Sequence, residues 1–598
     1  MKTYRKRKKN NLKLNTRRRL TLIKLLKYLK GSAIICAILA PLTMCLEVAM
    51  DLLQPTLLSK IIDTGVAKGD LNYVLYIGIQ MVIVAVVGLI AGSACSYFAS
   101  VASMNLGQEV RQGLFDKIQT LSFVELDKLK TSSLITRLTN DVTQVQMMMN
   151  MALRMMVRAP LTAIGGIVMA YILSKKLSNI FLIAVPIIVI SVLFILKKSL
   201  PLFTKAQQHI DNVNAVMRES ILGVKVIKAF TIENTQRSRF IKANEELTNT
   251  SIKSQNMNLI LWPMATLIMN LTVVAVLWFG GNMVNAGDLE IGKIVAFINY
   301  LLQIMGSVVM VINVMISYSR AKASATRINE VFETQTSIKD KENTKTIENF
   351  DIEFKNVSFR YNENSENVLE NISFSAKQGE TIGIIGSTGC GKSSFVNLIP
   401  RLYDVSCGEI LIGGTNIKNI SLSQLRENIG IVLQENILFS GTIESNIRFG
   451  NENASKDMIV DSAVNAQAYE FINNKEDKFN SEVEQRAKNL SGGQKQRLSI
   501  ARTLIRTPKI FIMDDSSSAL DMATEAKLQN SIKETMKDST VMVIAQRISG
   551  VMDADKIIVM DDGKIENIGT HKELLKTSEI YRSIAVSQLG EEVLESVG

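Results

Sequence analysis

Histidine and cysteine are scarce in this sequence, and acidic residues are missing from its beginning. Only two histidines occur in 598 residues, His209 and His571. The five cysteines are scattered: Cys36, Cys45 and Cys95 lie in apolar runs, Cys390 and Cys407 in the more polar second half. No pair has the spacing of a metal site or a disulfide, which excludes a stapled fold and fits a chain facing the cytoplasm. Residues 1–30 hold thirteen Lys and Arg and no acid, so the net charge of +12 is a local excess. A basic N-terminus suggests nucleic acid or an anionic membrane surface. The apolar run from Gly31 decides for the membrane and against nucleic acid. It is too long for a signal-peptide core and lacks a small-residue cleavage site, so it reads as a retained first span. Residues 17–30, RRRLTLIKLLKYLK, mix basic and apolar positions and suit a short helix lying in the cytoplasmic interface, with residues 1–15 as a basic tail.

Long hydrophobic runs are plentiful. Six stand out, near residues 31–58, 71–103, 147–173, 178–197, 257–284 and 294–318. Each reaches the ~20 residues with which a helix crosses a bilayer. With both termini inside, the cytoplasmic segments 1–30, 104–146 and 200–255 carry thirteen, five and eight Lys and Arg. The outer loops carry five in all, Lys60, Lys68, Lys175, Lys176 and Lys293, which is a positive-inside pattern. The two long inner loops have few helix breakers and are predicted to extend the spans into the cytoplasm. Residues 321–350 read as a polar linker, and strand-like alternation opens a second domain at Asp351. The predicted fold is an all-α six-helix transmembrane domain over 31–320, followed by an α/β domain over 351–590 whose motifs are those of a P-loop NTPase: a glycine-rich loop at Gly386–Ser393 after a strand, and a second strand ending at Asp514.

The chemistry lies in that second domain. Gly386-Ser387-Thr388-Gly389-Cys390-Gly391-Lys392-Ser393 matches the phosphate-binding loop, and the pattern continues into Ser394. It follows a strand, TIGIIG, and precedes an apolar helix, which is the context the motif needs. Glycines let backbone N–H groups wrap phosphates, and the helix N-terminus adds a positive dipole end. Lys392 is placed to reach the β- and γ-phosphates of ATP, and Ser393 to ligate Mg2+. A second apolar strand, Lys509-Ile-Phe-Ile-Met-Asp514, ends in the acid that such ATPases keep on the Mg2+ side.

Leu490-Ser491-Gly492-Gly493-Gln494 resembles the signature motif of ABC transporters, and residues 501–521 resemble their Walker B and D-loop segment, ending at Asp521. Gln434 fits their Q-loop, a further Mg2+ ligand. Tyr361 fits the aromatic on which adenine stacks, a role that needs only a π face. In the membrane half, residues 122–142 and 218–233 resemble the cytoplasmic loops of the type IV exporter class. The resemblance covers nearly the whole chain. It implies an ATP site shared between two nucleotide-binding domains, with the phosphate loop of one facing the LSGGQ of the other, so that a second subunit is required.

The sequence departs from that family's pattern at three places. Asp515 stands where the family has a catalytic Glu, and Gln546 where it has a switch His. An acid one methylene shorter moves its oxygens by about 1 Å from the attacking water, a misplacement that can cost ~10²-fold in rate. Gln546 can donate a hydrogen bond but cannot protonate. The expectation is a site that binds ATP and hydrolyses it poorly. With LSGGQ intact, this resembles one subunit of the heterodimeric bacterial exporters, whose partner would carry Glu and His. Thirdly, SEVEQRA (481–487) lacks both glycines of the family's loop, leaving Glu482 and Arg486 as contacts for the cytoplasmic loops.

The resemblance further implies that segments near 121–129 and 213–220 dock on nucleotide-binding domains. Glu47 and Asp51, four apart in the first span, share a helix face. They read either as a negative patch for amphipathic cargo, drugs or lipids, or as an interhelix contact. Arg154 and Arg158 read as snorkelling or pairing. The methionines of MMMNMALRMM (147–156) read as packing. Two other functions remain open at this stage: a weakly active homodimeric exporter, and an ATP-binding regulatory or channel-like subunit of the bacterial cytoplasmic membrane.

Overall fold

The computed structural model describes residues 21–590 apart from 342–344, 363–364 and 517–518, and leaves aside the side chains of 192, 193, 196, 200, 258, 261, 262, 312 and 313. The basic tail and the first residues of the expected interfacial helix lie outside this range. Two compact units are formed: Met1–Gln119 with Thr131–Thr334, described from Thr21, and Thr120–Lys130 with Gln335–Gly598, described to Gly590.

The first unit is helical. Its long members are α1 (Ser32–Lys60), α2 (Leu71–Gln119), then, beyond the short α3 (Phe123–Leu129) of the other unit, α4 (Val142–Leu173), α5 (Lys175–Leu222), α6 (Glu233–Leu259), α7 (Leu261–Asn285) and α8 (Ile291–Glu333). Among the described residues, five helical stretches are long and apolar enough to cross a membrane. The fourth expected run, 178–197, lies on α5. Prolines 41, 55, 160, 186 and 201 sit inside helices, which membrane helices tolerate where neighbours re-satisfy the freed carbonyls. Small side chains let α1 and α2 approach: Ala91, Cys95, Ala99 and Ala102 recur three or four apart on one face of α2, and with Ala40, Met44 and Val48 of α1 form a buried seam.

One expectation is corrected. The linker does not begin at residue 321, because α8 runs on to Glu333. Ala321, Ala325, Ile328 and Val331 are buried at helical spacing beneath the polar residues that suggested a linker. The inner loops do extend the spans as helices, α2 to Gln119 and α5 to Leu222. The first turns at 120–122 and contains α3, the short helix Thr131–Thr136 and a wide turn at Arg137–Asp141. The second turns at Gly223, so residues 213–220 lie in the last turns of α5. There Val213 and Val216 pack on Ala243 of α6. The tip is the short helix Val224–Ala229, flanked by exposed Leu222 and Phe230.

The interfacial segment is described from Thr21, as a helix Thr21–Leu25 and a single 3₁₀ turn Leu26–Tyr28. It is tied to the end of α8. Tyr28 stacks on Phe332 at 4.9 Å, and Asn329 Nδ2 donates to the Thr21 carbonyl at 2.8 Å. In the spans, Arg158 of α4 forks between Glu47 and Asp51 of α1, with 2.8 Å to Asp51. This supports the interhelix reading of the acidic pair. A second polar knot, unforeseen from sequence, joins α8 to the turn before α4: buried Asp141 accepts from Ser324 at 2.8 Å and from Arg327 Nε at 2.7 Å.

The second unit holds two main sheets. Antiparallel β1 (Ile352–Phe359), β2 (Leu369–Ala376), β4 (Cys407–Ile412) and β5 (Thr415–Asn416) run in the order β2-β1-β4-β5. The larger sheet also contains β3 (Thr381–Gly386), β6 (Ile429–Val432), β9 (Ile510–Asp514), β10 (Thr540–Ile544), β11 (Lys556–Asp561) and β12 (Lys564–Gly569), in the order β12-β11-β3-β10-β9-β6. All its neighbours are parallel except the edge strand β12. A parallel sheet needs both faces covered, and β3, β9 and β10 are accordingly near-continuous runs of buried Ile, Val, Phe and Met. The small ribbon of β7 (Gly441–Thr442) and β8 (Glu482–Val483) lies apart.

Candidate functional site

In a doubly wound sheet, ligands are held just beyond the carboxyl ends of the parallel strands. Here β3 ends at Gly386, β9 at Asp514 and β10 at Ile544, so the phosphate loop, Asp514–Asp515 and Gln546 all lie at that edge. The loop's shape depends on its glycines. Gly386 has φ +155°, and a Cβ there would run into the Met560 carbonyl. Gly391 has φ +97°, and a Cβ would lie 2.8 Å from Leu369 Cδ2 and 3.0 Å from the Val368 carbonyl. Glycine at both positions lets neighbouring chain pack closely against the loop and permits the positive φ with which successive backbone N–H groups can turn toward an anion. Lys392 begins the helix α9 (Lys392–Asn397), and its ammonium turns back to donate to the carbonyls of Gly386 at 2.9 Å and Ser387 at 2.8 Å. Thr388 and Gly389 form the exposed crest, Gly389 at φ +88°, while Cys390 is buried with its sulfur 3.8 Å from Lys392 Nζ.

Ser393 Oγ donates to Asp514 Oδ1 at 2.9 Å, joining the two residues expected to hold Mg2+. Asp514 is buried, and burial raises its pKa against the opposing hydrogen bond from Ser393. A buried carboxylate beside a hydroxyl suits a divalent cation, which would relieve the cost of desolvation. Among the described residues no three His, Cys, Asp or Glu side chains gather to hold a metal alone. None is needed, since Mg2+ bound with a phosphate takes only one or two protein ligands.

The next residue carries the informative contact. Gln546 Nε2 donates to Asp515 Oδ2 at 2.7 Å. Asp515 has φ +47°, a left-handed conformation unusual outside glycine, and its N–H is bonded to the Ile544 carbonyl at 3.1 Å. Burial raises the Asp515 pKa, with Gln546 and Lys392 opposing. The two positions where the sequence departs from the pattern it resembles thus meet in one hydrogen bond. Gln546 is steadied from behind: Gln588 of the C-terminal helix α12 (Glu579–Leu589; α10 and α11 follow below) donates to the Gln546 carbonyl at 2.9 Å and accepts from Ile548 N–H at 2.8 Å.

Other predicted residues stand around this centre. Val432 of β6 is in register with Met513 of β9, which carries exposed Gln434, two residues on, to the level of Asp515. Tyr361 is half exposed, and its hydroxyl lies 2.8 Å from Ser394 Oγ. Ser491 caps α10 (Gly492–Leu504) reciprocally with Gln494: Gln494 N–H to Ser491 Oγ is 3.3 Å and Ser491 N–H to Gln494 Oε1 is 3.0 Å. Asp521 caps α11 (Met522–Thr535) through Thr524 N–H at 3.0 Å. Among the described residues no hydrogen bond joins Ser491–Gln494 to the phosphate loop. The altered SEVEQRA loop departs from helical geometry at Arg486 (φ +60°) and Ala487 (φ +50°). Ala487 therefore takes up left-handed geometry where the family's loop has a glycine.

Sequence reasoning missed several supports of the site. Asp561, at the end of β11, accepts from Ser387 Oγ at 3.3 Å. Tyr403 and Asp127 meet at 2.7 Å. Gln588 had no local motif to betray it. Tyr403 had one weak signal, an aromatic just past the phosphate-loop helix in RLYDV.

The chain is similar to known proteins along most of its length. Residues 37–308 match the family model described as the ABC transporter transmembrane region, and residues 369–518 the model described as ABC transporter. The chain is 42% identical over 573 residues to an uncharacterized ABC transporter ATP-binding protein, YfiB, of Bacillus subtilis, covering 96% of this chain and 100% of that protein. It is 34% identical over 494 residues to a putative multidrug export ATP-binding/permease protein, YgaD, of the same organism, covering 82% and 85%. A solved bacterial Atm1-family ABC exporter with ATP bound aligns with TM-score 0.78 at 25% identity, covering 94% of this chain and 100% of that one.

Proposed function

This chain belongs to the ABC transporter family, as an exporter half-transporter that joins a transmembrane domain to an ATP-binding domain, and from that premise we propose that it is the slow-hydrolysing subunit of a heterodimeric exporter. Its cargo is an amphipathic small molecule, a drug or lipid, carried out across the bacterial cytoplasmic membrane. The single observation that carries the reading is the Gln546–Asp515 hydrogen bond. It ties up an oxygen of the shortened acid with an amide that cannot take a proton. An attacking water is thereby left without a base at the right reach, a loss of about 10²-fold. The binding parts are complete: the glycine cradle, Lys392, the Ser393–Asp514 pair for Mg2+, and Tyr361 for adenine. Bound Mg2+ would neutralise charge between the β- and γ-phosphates.

Ser491–Gln494 form a capped helix start that is open at Gly492 and closely packed against Ala519 and Leu520 at Gly493. A Cβ at Gly492 would meet only Ala519 Cβ, at 3.6 Å. That helix start serves the γ-phosphate held by the second subunit, which turns over and resets the pair. The resemblance of YgaD, whose name speaks of multidrug export, supports the cargo class. The test is an asymmetry in complexes purified from native membranes. Gly492→Asp should abolish their ATPase activity, because it disables the partner's site, whereas Asp515→Asn should leave most of it. Equal loss in both variants would show a homodimer with two equivalent sites.

A further inference from the structure

The adenine side of the site is not isolated. Tyr361 meets Tyr403 edge to face, with centroids 5.2 Å apart and planes at 89°. Phe359 closes the group, 4.8 Å from Tyr361 and 5.7 Å from Tyr403. On its far side Tyr403 touches α3. Its hydroxyl donates to Asp127 Oδ2 at 2.7 Å, and its ring lies 6.1 Å from that of Phe123. Both residues belong to the short stretch Thr120–Lys130 that packs as part of the ATP-binding unit although it comes from the membrane half of the chain. Glu125 of the same helix accepts from Ser337 N–H at 3.2 Å, a second tie to this unit.

The segment bearing Tyr403 is held firmly. Buried Arg401 has φ +53° and pairs with Asp404 at 2.8 Å, while Arg426 donates to the carbonyls of Pro400 at 3.1 Å and Arg401 at 2.9 Å. Burial, and Asp127 beside it, keep the Tyr403 phenol protonated well above the usual tyrosine range, so it remains a donor at physiological pH.

We propose that Tyr403 is a positioning residue that reports the adenine base to α3, its ring reading Tyr361 and its hydroxyl holding Asp127. A base stacked on the open face of Tyr361 fixes that ring. Aromatic pairs at this distance prefer a defined tilt, so fixing Tyr361 fixes Tyr403. Asp127 passes the constraint to α3, the only described part of the membrane half that packs in this unit. The phosphates act elsewhere, on Lys392, Ser393 and Asp514. The base and the triphosphate therefore send separable signals. By linkage, holding α3 in place must tighten ATP binding by the same factor that ATP orders α3.

This inference rests on the proposed ATP site, and its test separates the two. Hydrogen–deuterium exchange is followed over residues 120–130 of the purified full chain, alone, with Mg-ATP, and with Mg-bound inorganic triphosphate, which lacks the base. ATP should slow exchange there about fivefold more than triphosphate, the lower end of common coupling strengths. Tyr403→Phe, which keeps the ring and removes the hydroxyl, should erase that difference and, by the same linkage, weaken ATP binding by no more than about fivefold. Asp127→Ala, remote from the nucleotide, should do the same. Equal protection by ATP and triphosphate overturns the inference, as does a base-dependent difference that survives both variants. Absence of saturable ATP binding in the unaltered chain would overturn the underlying site and this inference together.

Discussion

Asp515 and Gln546 lie 31 residues apart in sequence and 2.7 Å apart at their side chains. Each follows the end of its own strand, β9 or β10, and the parallel register of those strands, Asp514 opposite Ile544, brings them together. The sequence identified both as departures but could not show that they contact, because the pairing of two strands is not a local property. Lys392, Ser393 and Asp514 were legible for the opposite reason: a glycine loop between a strand and a helix dictates its own geometry, and an acid ending an apolar strand supplies the rest. The raised pKa of Asp515 has a consequence for stability. Burial raises its folded value above the ordinary 3.8, so ionisation costs stability at neutral pH, and that cost disappears as pH falls through the folded pKa. Asp515→Asn keeps an acceptor for Gln546 without the buried charge. The nucleotide-free variant should therefore melt at a higher temperature than the parent at pH 7, with the difference shrinking on acidification. A lower melting temperature at pH 7 would place the carboxylate among the stabilising groups instead.

At the scale of helices, polar side chains explain what apolar periodicity alone could not. Span positions were legible from hydropathy, because a bilayer needs about 20 apolar residues. Where the helices turn was not, since the stretches around Gly223 and residues 120–122 carry no cluster of helix breakers. The continuation of α8 to Glu333 was hidden by composition and is carried by four buried residues on one face. The Arg158 fork to Glu47 and Asp51 pins α4 to α1. Breaking a buried pair by removing one partner costs up to about 3–5 kcal/mol, and this fork, one-third exposed at Arg158, should cost about 2 kcal/mol. Arg158→Ala should lower the melting temperature in detergent, and adding Glu47→Gln with Asp51→Asn should restore much of it. Additive losses in the triple variant would contradict a mutual pairing.

For the molecule as a whole, sequence gave the two-domain order, and structure changed where the domains interleave. A stretch of eleven residues from the membrane half, 120–130, packs with the ATP-binding unit. At the other inner turn, Leu222, Val224, Val226 and Phe230 stand exposed, an apolar tip that suits a second subunit's surface. An exporter so built shifts between states because ATP binds one of them more tightly. A subunit that grips ATP without cleaving it would hold that state until its companion hydrolyses. The most direct test is steady-state ATPase activity and equilibrium ATP binding measured on the purified chain self-paired at high concentration, so that its own LSGGQ faces each phosphate loop, with and without Asp515→Glu plus Gln546→His. The account predicts saturable binding by both forms, slow turnover by the parent, and a rise of about 10²-fold in the double variant. Brisk hydrolysis by the parent chain alone, unaltered by the two substitutions, would contradict it.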